Sequence, residues 1–168
     1  CELVPRDVVV VDDGIITARS LNAFFPYRDK DCYFGNVSGG IGWALPAAIG
    51  VSLGLPNRRV VAVIGDGSSM YSIQALWTAA HFKLPITYVI ADNGGYRIIK
   101  ERLRAFHGST HFIGMDFKDP PIDFVGVAQS FGMPAHRVET PDEFESAFRS
   151  ALSASGPMLL SVSVEKGL

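Results

Sequence analysis

The stretch VIGDGSSMYSIQALWTAA, residues 63–80, links an apolar run to an apolar helical pattern through the turn Gly65-Asp66-Gly67. The run over 60–64 is rich in Val and contains no polar residue, which is typical of a parallel strand covered on both faces. Apolar residues then recur at helical spacing, which predicts a helix over 69–82. The stripe on this helix consists of Met70, Ile73, Leu76, Trp77 and Ala80. The stretch therefore predicts a strand and a helix joined by a glycine turn that carries one carboxylate.

Strand and helix patterns alternate over the rest of the chain as well. Further strands are predicted at 8–11, 86–91 and 158–164, with shorter ones at 33–36 and 136–139. Further helices are predicted at 41–53, 96–106, 122–131 and 142–154. Thr140 and Pro141 suit the N-cap and the first position of the last helix. Since such alternation produces βαβ units, we expect an α/β fold: one domain over 1–168 with an open parallel sheet of about six strands and helices on both faces.

Composition narrows the class of protein. Of the 168 residues, 48% are hydrophobic and 19% are charged, and the formal net charge is −2. This balance predicts a large core with apolar surface left for a partner, and it does not favour nucleic-acid binding. The uncharged run over 32–57 contains six glycines and two prolines, so we expect no membrane-spanning helix there. Cys1 and Cys32 are too few for a disulfide framework, which predicts reduced thiols in a cytoplasmic protein.

Polar residues follow two of the predicted strands at the point where each strand ends. Asp66 comes just after the strand over 60–64, and Asp92-Asn93-Gly94-Gly95 comes after the strand over 86–91. Ligands of open parallel sheets bind beyond the carboxyl ends of the strands, so Asp66 and Asn93 should face one crevice if the two strands are neighbours. Carboxylate and amide oxygens suit Mg²⁺ or Ca²⁺, and two such groups leave coordination positions for the phosphates of a ligand.

The glycines and serines of the turn favour an anion. Gly65 and Gly67 let a phosphate approach the backbone closely. Ser68 and Ser69 begin a helix whose free N–H groups and dipole attract negative charge. We therefore expect Asp66 to hold a metal, and the metal and the helix start to hold a diphosphate together.

Other interpretations fit the same residues. Gly65-Asp66-Gly67 is also compatible with an ordinary tight turn whose carboxylate only caps the backbone. It is compatible with a phosphoacceptor aspartate, as in a receiver domain, with Asp12-Asp13 as the acidic pair after the first strand. A dinucleotide-binding fold is less favoured, because no Gly-x-Gly-x-x-Gly follows the first strand. The motif by itself leaves the first two alternatives open.

Two motifs at a fixed separation resemble a known family. Gly65-Asp66-Gly67, followed after 25 residues (68–92) by Asn93, is similar to the thiamine diphosphate signature of the decarboxylase and acetolactate synthase superfamily. The segments over 38–50 and 71–80 resemble the same superfamily, and the resemblance extends over nearly the whole chain. Within it, the benzoylformate decarboxylases and related 2-oxo acid decarboxylases look most alike. The implied fold is the diphosphate-binding domain of these enzymes, usually their C-terminal third.

The resemblance implies a metal site and a diphosphate site. Mg²⁺, with Ca²⁺ as an alternative, would be bound by the side chains of Asp66 and Asn93 and by the backbone carbonyl of Gly95. Two diphosphate oxygens and a water would complete the six-coordinate shell. The diphosphate of the cofactor would also be contacted by Gly67, Ser68 and Tyr96.

The resemblance also implies how the rest of thiamine diphosphate is held. Ile41 matches the bulky aliphatic residue that wedges the cofactor into a bent shape, and the carbonyl of Gly39 matches the acceptor for its aminopyrimidine amine. The family commonly has Asn-Asn where this chain has Asp92-Asn93, and we expect Asp92 to cap the loop there.

The segment after Tyr96 borders the substrate pocket in similar enzymes. The resemblance therefore implies that Ile98, Ile99 and Arg102 shape that pocket, with the cation as a candidate partner for a 2-oxo acid carboxylate. The histidines carry no motif, and we expect His107 and His111, which flank a Gly-Ser-Thr loop, to be surface residues.

No acid of this chain is expected to activate the cofactor. In the family, the activating glutamate comes from a separate pyrimidine-binding domain, normally on a neighbouring subunit, so we expect no catalytic residue here. The start at Cys1, directly before the first strand, suits an excised domain. We expect a fragment or split subunit of a three-domain enzyme, inactive alone, that forms a homodimer or homotetramer at full length.

The function implied by the resemblance is that of a lyase acting on 2-oxo acids. A decarboxylase of the benzoylformate type is expected first, and an acetolactate-synthase-like carboligase is the alternative within the family. A non-catalytic module that binds the cofactor without performing chemistry is an alternative of another class.

Overall fold

A single parallel sheet organises the chain. The computed structural model describes residues 3–165, so Cys1 lies outside the described residues. The strands are β1 (Val9–Asp13), β2 (Tyr33–Gly35), β3 (Val60–Gly65), β4 (Ile86–Asp92), β5 (Ala135–Val138) and β6 (Met158–Ser163). Neighbouring strands are all parallel, in the order β2-β1-β3-β4-β6-β5. The expected open α/β sheet of six strands is confirmed.

Helices connect the strands. They are α1 (Thr17–Phe24), α2 (Ala44–Gly54), α3 (Asp66–Ser69), α4 (Ala75–His81), α5 (Arg97–His107), α6 (Phe124–Ser130) and α7 (Pro141–Ser153). In the stretch from residue 3 to residue 165, none of them has the length and apolar character needed to cross a bilayer.

Alternate residues of the buried strands face two separate cores. On β3, Val60, Ala62 and Ile64 face the core beneath α2, α4 and α6. Val61 of the same strand faces the second core, where Phe148 of α7 packs and the helix α1 also contributes. Helices therefore cover both faces of the sheet, which explains why the strand over 60–64 reads as continuously apolar.

The N-terminus of α7 is as predicted. The Thr140 hydroxyl accepts a hydrogen bond from the Glu143 amide (3.3 Å), and the Glu143 carboxylate accepts one from the Thr140 amide (3.2 Å). This reciprocal pair is a capping box, and Pro141 occupies the first helical turn.

The predicted continuous helix over 69–82 is wrong. The chain forms the four-residue α3, then a series of tight turns, and α4 begins only at Ala75. Two side chains compete with a regular helix: the Ser69 hydroxyl donates to the Asp66 carbonyl, and the Ser72 hydroxyl donates to the Gly42 carbonyl. The predicted apolar stripe is broken in consequence.

Only part of that stripe is buried. Leu76 of α4 is fully buried, whereas Met70 and Trp77 are exposed. The prediction that a helix begins at Ser68 and Ser69 is wrong, because α3 begins at Asp66 and ends at Ser69, and four residues are too few for a strong helix dipole. The sequence interpretation also missed α1 (TARSLNAF), which is short and has no side-chain cap at its N-terminus.

The order of the strands creates a crevice beside β1. The chain leaves β1 toward β2 on one side of the sheet, and β3 adds on the other side. This is a topological switch point, where the carboxyl ends of β1 and β3 diverge and ligands of open α/β sheets bind. Asp13 ends β1 and Gly65 ends β3, so both lie at this crevice.

Candidate functional site

A cavity of about 300 Å³ lies at the carboxyl ends of β1, β3 and β4. Its walls bring together most of the residues singled out from the sequence. Those that line it are Ile41, Asp66, Gly67, Ser68, Asn93, Gly95, Tyr96, Ile98 and Ile99. Gly39 and Arg102 are exposed and do not contribute to its lining. Asp66 and Asn93 therefore share one crevice, as their places at the ends of neighbouring strands predict.

Asp66 is a buried carboxylate of this cavity, with 1% of its surface exposed. One oxygen, Oδ1, accepts a hydrogen bond from the Gly67 amide (2.8 Å). The other, Oδ2, accepts from the amides of Asn93 (3.1 Å) and Gly95 (2.9 Å) on the facing loop. A carboxylate has about four lone-pair sites, so these three donors leave one on Oδ1 for a further ligand.

The charge of Asp66 is costly in this environment. Burial raises the pKa of its carboxyl group, the backbone hydrogen bonds from Gly67 and Gly95 lower that pKa in part, and the charge of Asp92 raises it. A buried anion that is destabilised in this way is stabilised when a cation binds beside it. The electrostatics of Asp66 therefore suit a metal ligand.

The facing loop is held in a defined shape. The Asp92 carboxylate accepts a hydrogen bond from the Gly94 amide (3.1 Å), so it caps the loop as expected and does not line the cavity. The Gly95 carbonyl accepts from the Arg97 amide (3.0 Å), which leaves its second lone pair for another partner.

A second segment braces this loop from outside. The Tyr96 amide donates to the Met115 carbonyl (2.9 Å), and the Phe117 amide donates to the Gly94 carbonyl (2.8 Å). Lys100 of α5, which is almost fully buried, forms an ion pair with Asp116 of the same segment. The residues over 115–117 therefore form a strap across the loop.

Gly67 forms a narrow floor under an aromatic ring. A Cβ atom at this position would lie 2.7 and 2.8 Å from two ring carbons of Tyr96, closer than real contacts allow. Tyr96 is itself fixed edge-on against Phe117, with ring centroids 5.0 Å apart. Burial raises the pKa of the Tyr96 hydroxyl, with a further contribution from Tyr71. The Tyr96 ring can therefore pack this closely on the backbone of residue 67 only because that residue has no side chain.

The oxygen donors available in the cavity suit a hard cation, although they do not form a cluster of acidic side chains. Within residues 3–165, no three His, Cys, Asp or Glu side chains lie together so as to hold a metal ion. Asp66, Asn93 and Gly95 all line the cavity, and between them they carry a carboxylate, an amide side chain and a backbone carbonyl. All three are oxygen donors, which Mg²⁺ and Ca²⁺ prefer.

Comparison with known proteins decides the family. Residues 16–162 match the family described as thiamine pyrophosphate enzyme, C-terminal TPP binding domain. The chain belongs to this family. The family match identifies a TPP-binding domain, and it excludes the receiver interpretation of Asp66 and Asp12-Asp13.

Individual relatives of this TPP-binding domain are enzymes. The benzoylformate decarboxylase of Pseudomonas aeruginosa is 37% identical over 161 residues, which cover 95% of this chain and 30% of that protein. The acetolactate synthase of Bacillus subtilis is 34% identical over 143 residues, which cover 84% of this chain and 24% of that protein. The chain thus spans less than a third of the length of these relatives.

A solved structure shares the fold of the domain. The crystal structure of benzoylformate decarboxylase from Polynucleobacter necessarius superposes with a TM-score of 0.92 at 33% identity, over 99% of this chain and 32% of that one. The agreement extends beyond the residues of the family match, since it covers nearly the full length.

Several residues of the TPP-binding domain that line the cavity escaped the sequence interpretation. They are Asp13, Gly14, Ile15, Ile16, Thr17, Arg97, Val164 and Glu165. A signal for the first of them was present: Asp12-Asp13 follow the apolar run over 8–11 just as Asp66 follows the run over 60–64. The strand order, which makes β1 a neighbour of β3, could not be read from that pattern.

The charged side chains of the cavity are mostly acidic. Among the lining residues that the structure describes, the carboxylates are Asp13, Asp66 and Glu165, and Arg97 is the only Lys or Arg. The Arg97 guanidinium is engaged by the Glu101 carboxylate (2.9 Å) and donates to the Glu165 carbonyl (2.9 Å). A diphosphate placed beside Asp13 and Asp66 needs a counter-cation, which is the role a divalent metal fills.

Proposed function

We propose that this chain supplies the diphosphate- and Mg²⁺-binding half of the active site of a 2-oxo acid decarboxylase of the benzoylformate type. The observation that carries the proposal is the buried Asp66 carboxylate, which faces the loop of Asn93 and Gly95 across one cavity. The family membership supports thiamine diphosphate as the ligand of that cavity.

In this proposal, three residues hold the metal. Asp66 offers the remaining lone pair of Oδ1, Asn93 its side-chain oxygen, and Gly95 its carbonyl oxygen. These residues would hold Mg²⁺, with Ca²⁺ as the alternative, and the cation would supply the positive charge that offsets the cost of keeping Asp66 ionised in a buried position.

The remaining cofactor contacts come from the glycine turn and two loops. Gly67, Ser68 and Tyr96 contact the diphosphate, and all three line the cavity. Ile41 and the carbonyl of Gly39 hold the aminopyrimidine end. When bound, the cofactor supplies the thiazolium carbanion that adds to the ketone and the electron sink for loss of CO₂.

The other half of the active site lies outside these residues. We assign the activating glutamate to a pyrimidine-binding domain of the same or a neighbouring subunit, in a cytoplasmic homodimer or homotetramer. The fraction of each relative that this chain spans supports a separate origin for that glutamate. Residues 1–168 alone are therefore expected to be inactive.

The cavity wall supports an apolar substrate. Ile15, Ile98, Ile99 and Val164 also line the cavity and suit the ring of an aromatic 2-oxo acid. Arg102 is exposed and lies outside the lining, whereas Arg97 is part of the lining but is already paired with Glu101. The match to acetolactate synthase supports a second candidate, a carboligase that transfers the two-carbon unit of pyruvate to another ketone.

Steady-state assays of the complete protein distinguish these functions. With thiamine diphosphate and Mg²⁺, we expect benzoylformate to give benzaldehyde and CO₂, and Asp66→Ala to lower kcat/KM by about 10²-fold or more. Asp7→Ala, an exposed aspartate remote from the cavity, is the matched control and should retain full activity. Acetolactate from pyruvate, without turnover of benzoylformate, would favour the carboligase. No turnover of either substrate despite cofactor binding would favour a non-catalytic module.

A further inference from the structure

We propose that Asp13 is the positioning residue that fixes the loop over 38–42, and Ile41 with it, against the turn at Gly67-Ser68. The inference rests on the proposed function, because it assigns a role to the loop that holds the aminopyrimidine end of the cofactor. The sequence indicated Asp13 only as part of the acidic pair Asp12-Asp13. Its positioning role follows from contacts that join β1, the loop over 38–42 and the turn at Gly67-Ser68.

The Asp13 carboxylate, the Gly42 amide and the Ser68 hydroxyl form a buried triangle of hydrogen bonds. Asp13 Oδ2 accepts from the Ser68 hydroxyl (2.6 Å) and from the Gly42 amide (2.8 Å). The Gly42 amide is also 2.8 Å from the Ser68 hydroxyl oxygen. Asp13 is 3% exposed, so these bonds form away from competing water. One carboxylate thus joins the end of β1, the loop over 38–42 and the diphosphate turn.

The other end of the loop depends on Asn36, which also reaches Asp13. The Asn36 side-chain oxygen accepts from the amides of Ser38 (3.2 Å) and Gly39 (2.9 Å). Its side-chain nitrogen donates to the Gly40 carbonyl and, more weakly, to Asp13 Oδ1 at 3.4 Å. Asp13 therefore contacts the supports of the loop at both of its ends.

The loop needs such supports because its own packing is sparse. Ser38, Gly39 and Gly40 are exposed, and Gly39 and Gly42 have φ angles of +75° and +89°. A glycine-rich segment of this kind loses much conformational entropy when it is ordered. Ile41 is only half-buried, so its position follows from where the backbone of Gly42 is held.

Gly42 is the point at which the loop is held most tightly. Its amide donates to Asp13 and Ser68, and its carbonyl accepts from the Ser72 hydroxyl. Nothing larger than glycine fits, because a Cβ atom here would overlap Cβ of Tyr71. An ionised carboxylate is suited to the position since it accepts from every donor around it, and its bonds are charge-assisted.

Asp13→Asn tests this role, since it changes the volume of the side chain very little. It replaces one acceptor oxygen by an NH₂ group, which would face groups that are themselves donors. We expect hydrogen–deuterium exchange of the amides over 37–43 to accelerate by about tenfold or more in the complete protein without cofactor. With thiamine diphosphate and Mg²⁺, we expect kcat to fall by roughly 10- to 100-fold, as for a misplaced binding group, while the dissociation constant of the cofactor rises by about tenfold at most, because the loop must be ordered when the cofactor binds.

Val10→Ala is the matched control. Val10 lies on the same strand as Asp13, but its side chain is buried in the core that contains Phe148 of α7. The substitution should lower thermal stability without altering exchange over 37–43 or kcat. If Asp13→Asn does not fold, Asn36→Ala removes the support at the other end of the loop and should show the same exchange signature.

Unchanged exchange over 37–43 in Asp13→Asn would overturn the inference, and so would a loss of kcat no greater than that of Val10→Ala. These outcomes are separable from failure of the proposed function. If the unmodified protein neither binds thiamine diphosphate nor turns over a 2-oxo acid, the proposed function fails, while the exchange measurement still decides whether Asp13 holds the loop.

Discussion

At the scale of single residues, the site depends on carboxylates that are buried at strand ends and satisfied by backbone amides. Asp66 and Asp13 follow this pattern at the ends of β3 and β1, and Asp12 repeats it one residue earlier. The place of Asp66 at a cavity was predictable, because ligands of open parallel sheets bind beyond the carboxyl ends of the strands. The role of Asp13 was not, because it depends on a serine 55 positions away in the chain.

Asp12 provides a test of stability against pH. Burial raises the pKa of its carboxyl group, and the hydrogen bonds from the Tyr33 hydroxyl (2.6 Å) and the Gly14 amide lower that pKa in part. Because the folded pKa is raised above the ordinary value of 3.8, the stability associated with Asp12 is greatest at low pH and falls as the pH rises through the folded pKa.

Tyr33→Phe removes one of the hydrogen bonds that offset this cost, so it should raise the folded pKa of Asp12 further. We expect urea unfolding to show a loss of about 1.5–3 kcal/mol at about pH 7, and a loss that becomes smaller as the pH is lowered and a larger fraction of Asp12 is protonated. Tyr27→Phe, a neighbouring exposed tyrosine, should cost less than about 0.5 kcal/mol throughout this titration. A loss for Tyr33→Phe that does not change as the pH is lowered would contradict this account of Asp12.

At the scale of elements, the loop over 93–96, which follows β4, is stabilised by the strap over 115–117. Two backbone hydrogen bonds and the Lys100–Asp116 ion pair join the strap to the loop and to α5. The strap has no helical or strand pattern in the sequence, so its contact with Gly94, Gly95 and Tyr96 could not be predicted. The isolated bridge between Gly95 and Asp116 is a tertiary contact of the folded chain.

Lys100→Met should loosen the strap while keeping the apolar stem of the side chain. Because it removes the almost fully buried cation of this ion pair, whose carboxylate is one-third exposed, we expect a loss of about 1.5–3 kcal/mol in the free energy of unfolding and weaker Mg²⁺-dependent cofactor binding. Lys118→Met is the matched control: Lys118 lies 3.9 Å from the same carboxylate but is exposed, so its loss should stay below about 1 kcal/mol. Equal effects of the two substitutions would show that the buried ion pair has no special role.

Element boundaries show which local signals are sufficient. The capping box of α7 was predictable from Thr140 and Pro141, since every contact lies within one turn. The break between α3 and α4 was not, because the Ser72 hydroxyl finds its partner on Gly42, a residue of a different loop. Periodicity identifies the apolar residues, but it does not show which side-chain hydroxyls form hydrogen bonds with distant residues and so interrupt the helix.

At the scale of the whole molecule, the order of the strands assembles the site. The alternation of strands and helices was enough to predict a parallel sheet with helices on both faces, and the apolar strands match its two cores. It did not give the order β2-β1-β3-β4-β6-β5, which brings the ends of β1, β3 and β4 around one cavity. Ile15, Thr17 and Asp13 therefore entered the site only with the structure.

The central claim is that one divalent cation joins Asp66, Asn93 and Gly95 to the diphosphate of thiamine diphosphate. Calorimetric titration of the cofactor into the complete protein, with Mg²⁺ and with a chelator, tests it most directly. We expect the unmodified protein and Asp7→Ala to bind at least about tenfold more tightly with Mg²⁺, and Asp66→Ala to bind weakly under both conditions. Equal affinity of Asp66→Ala and the unmodified protein in the presence of Mg²⁺ would contradict the claim.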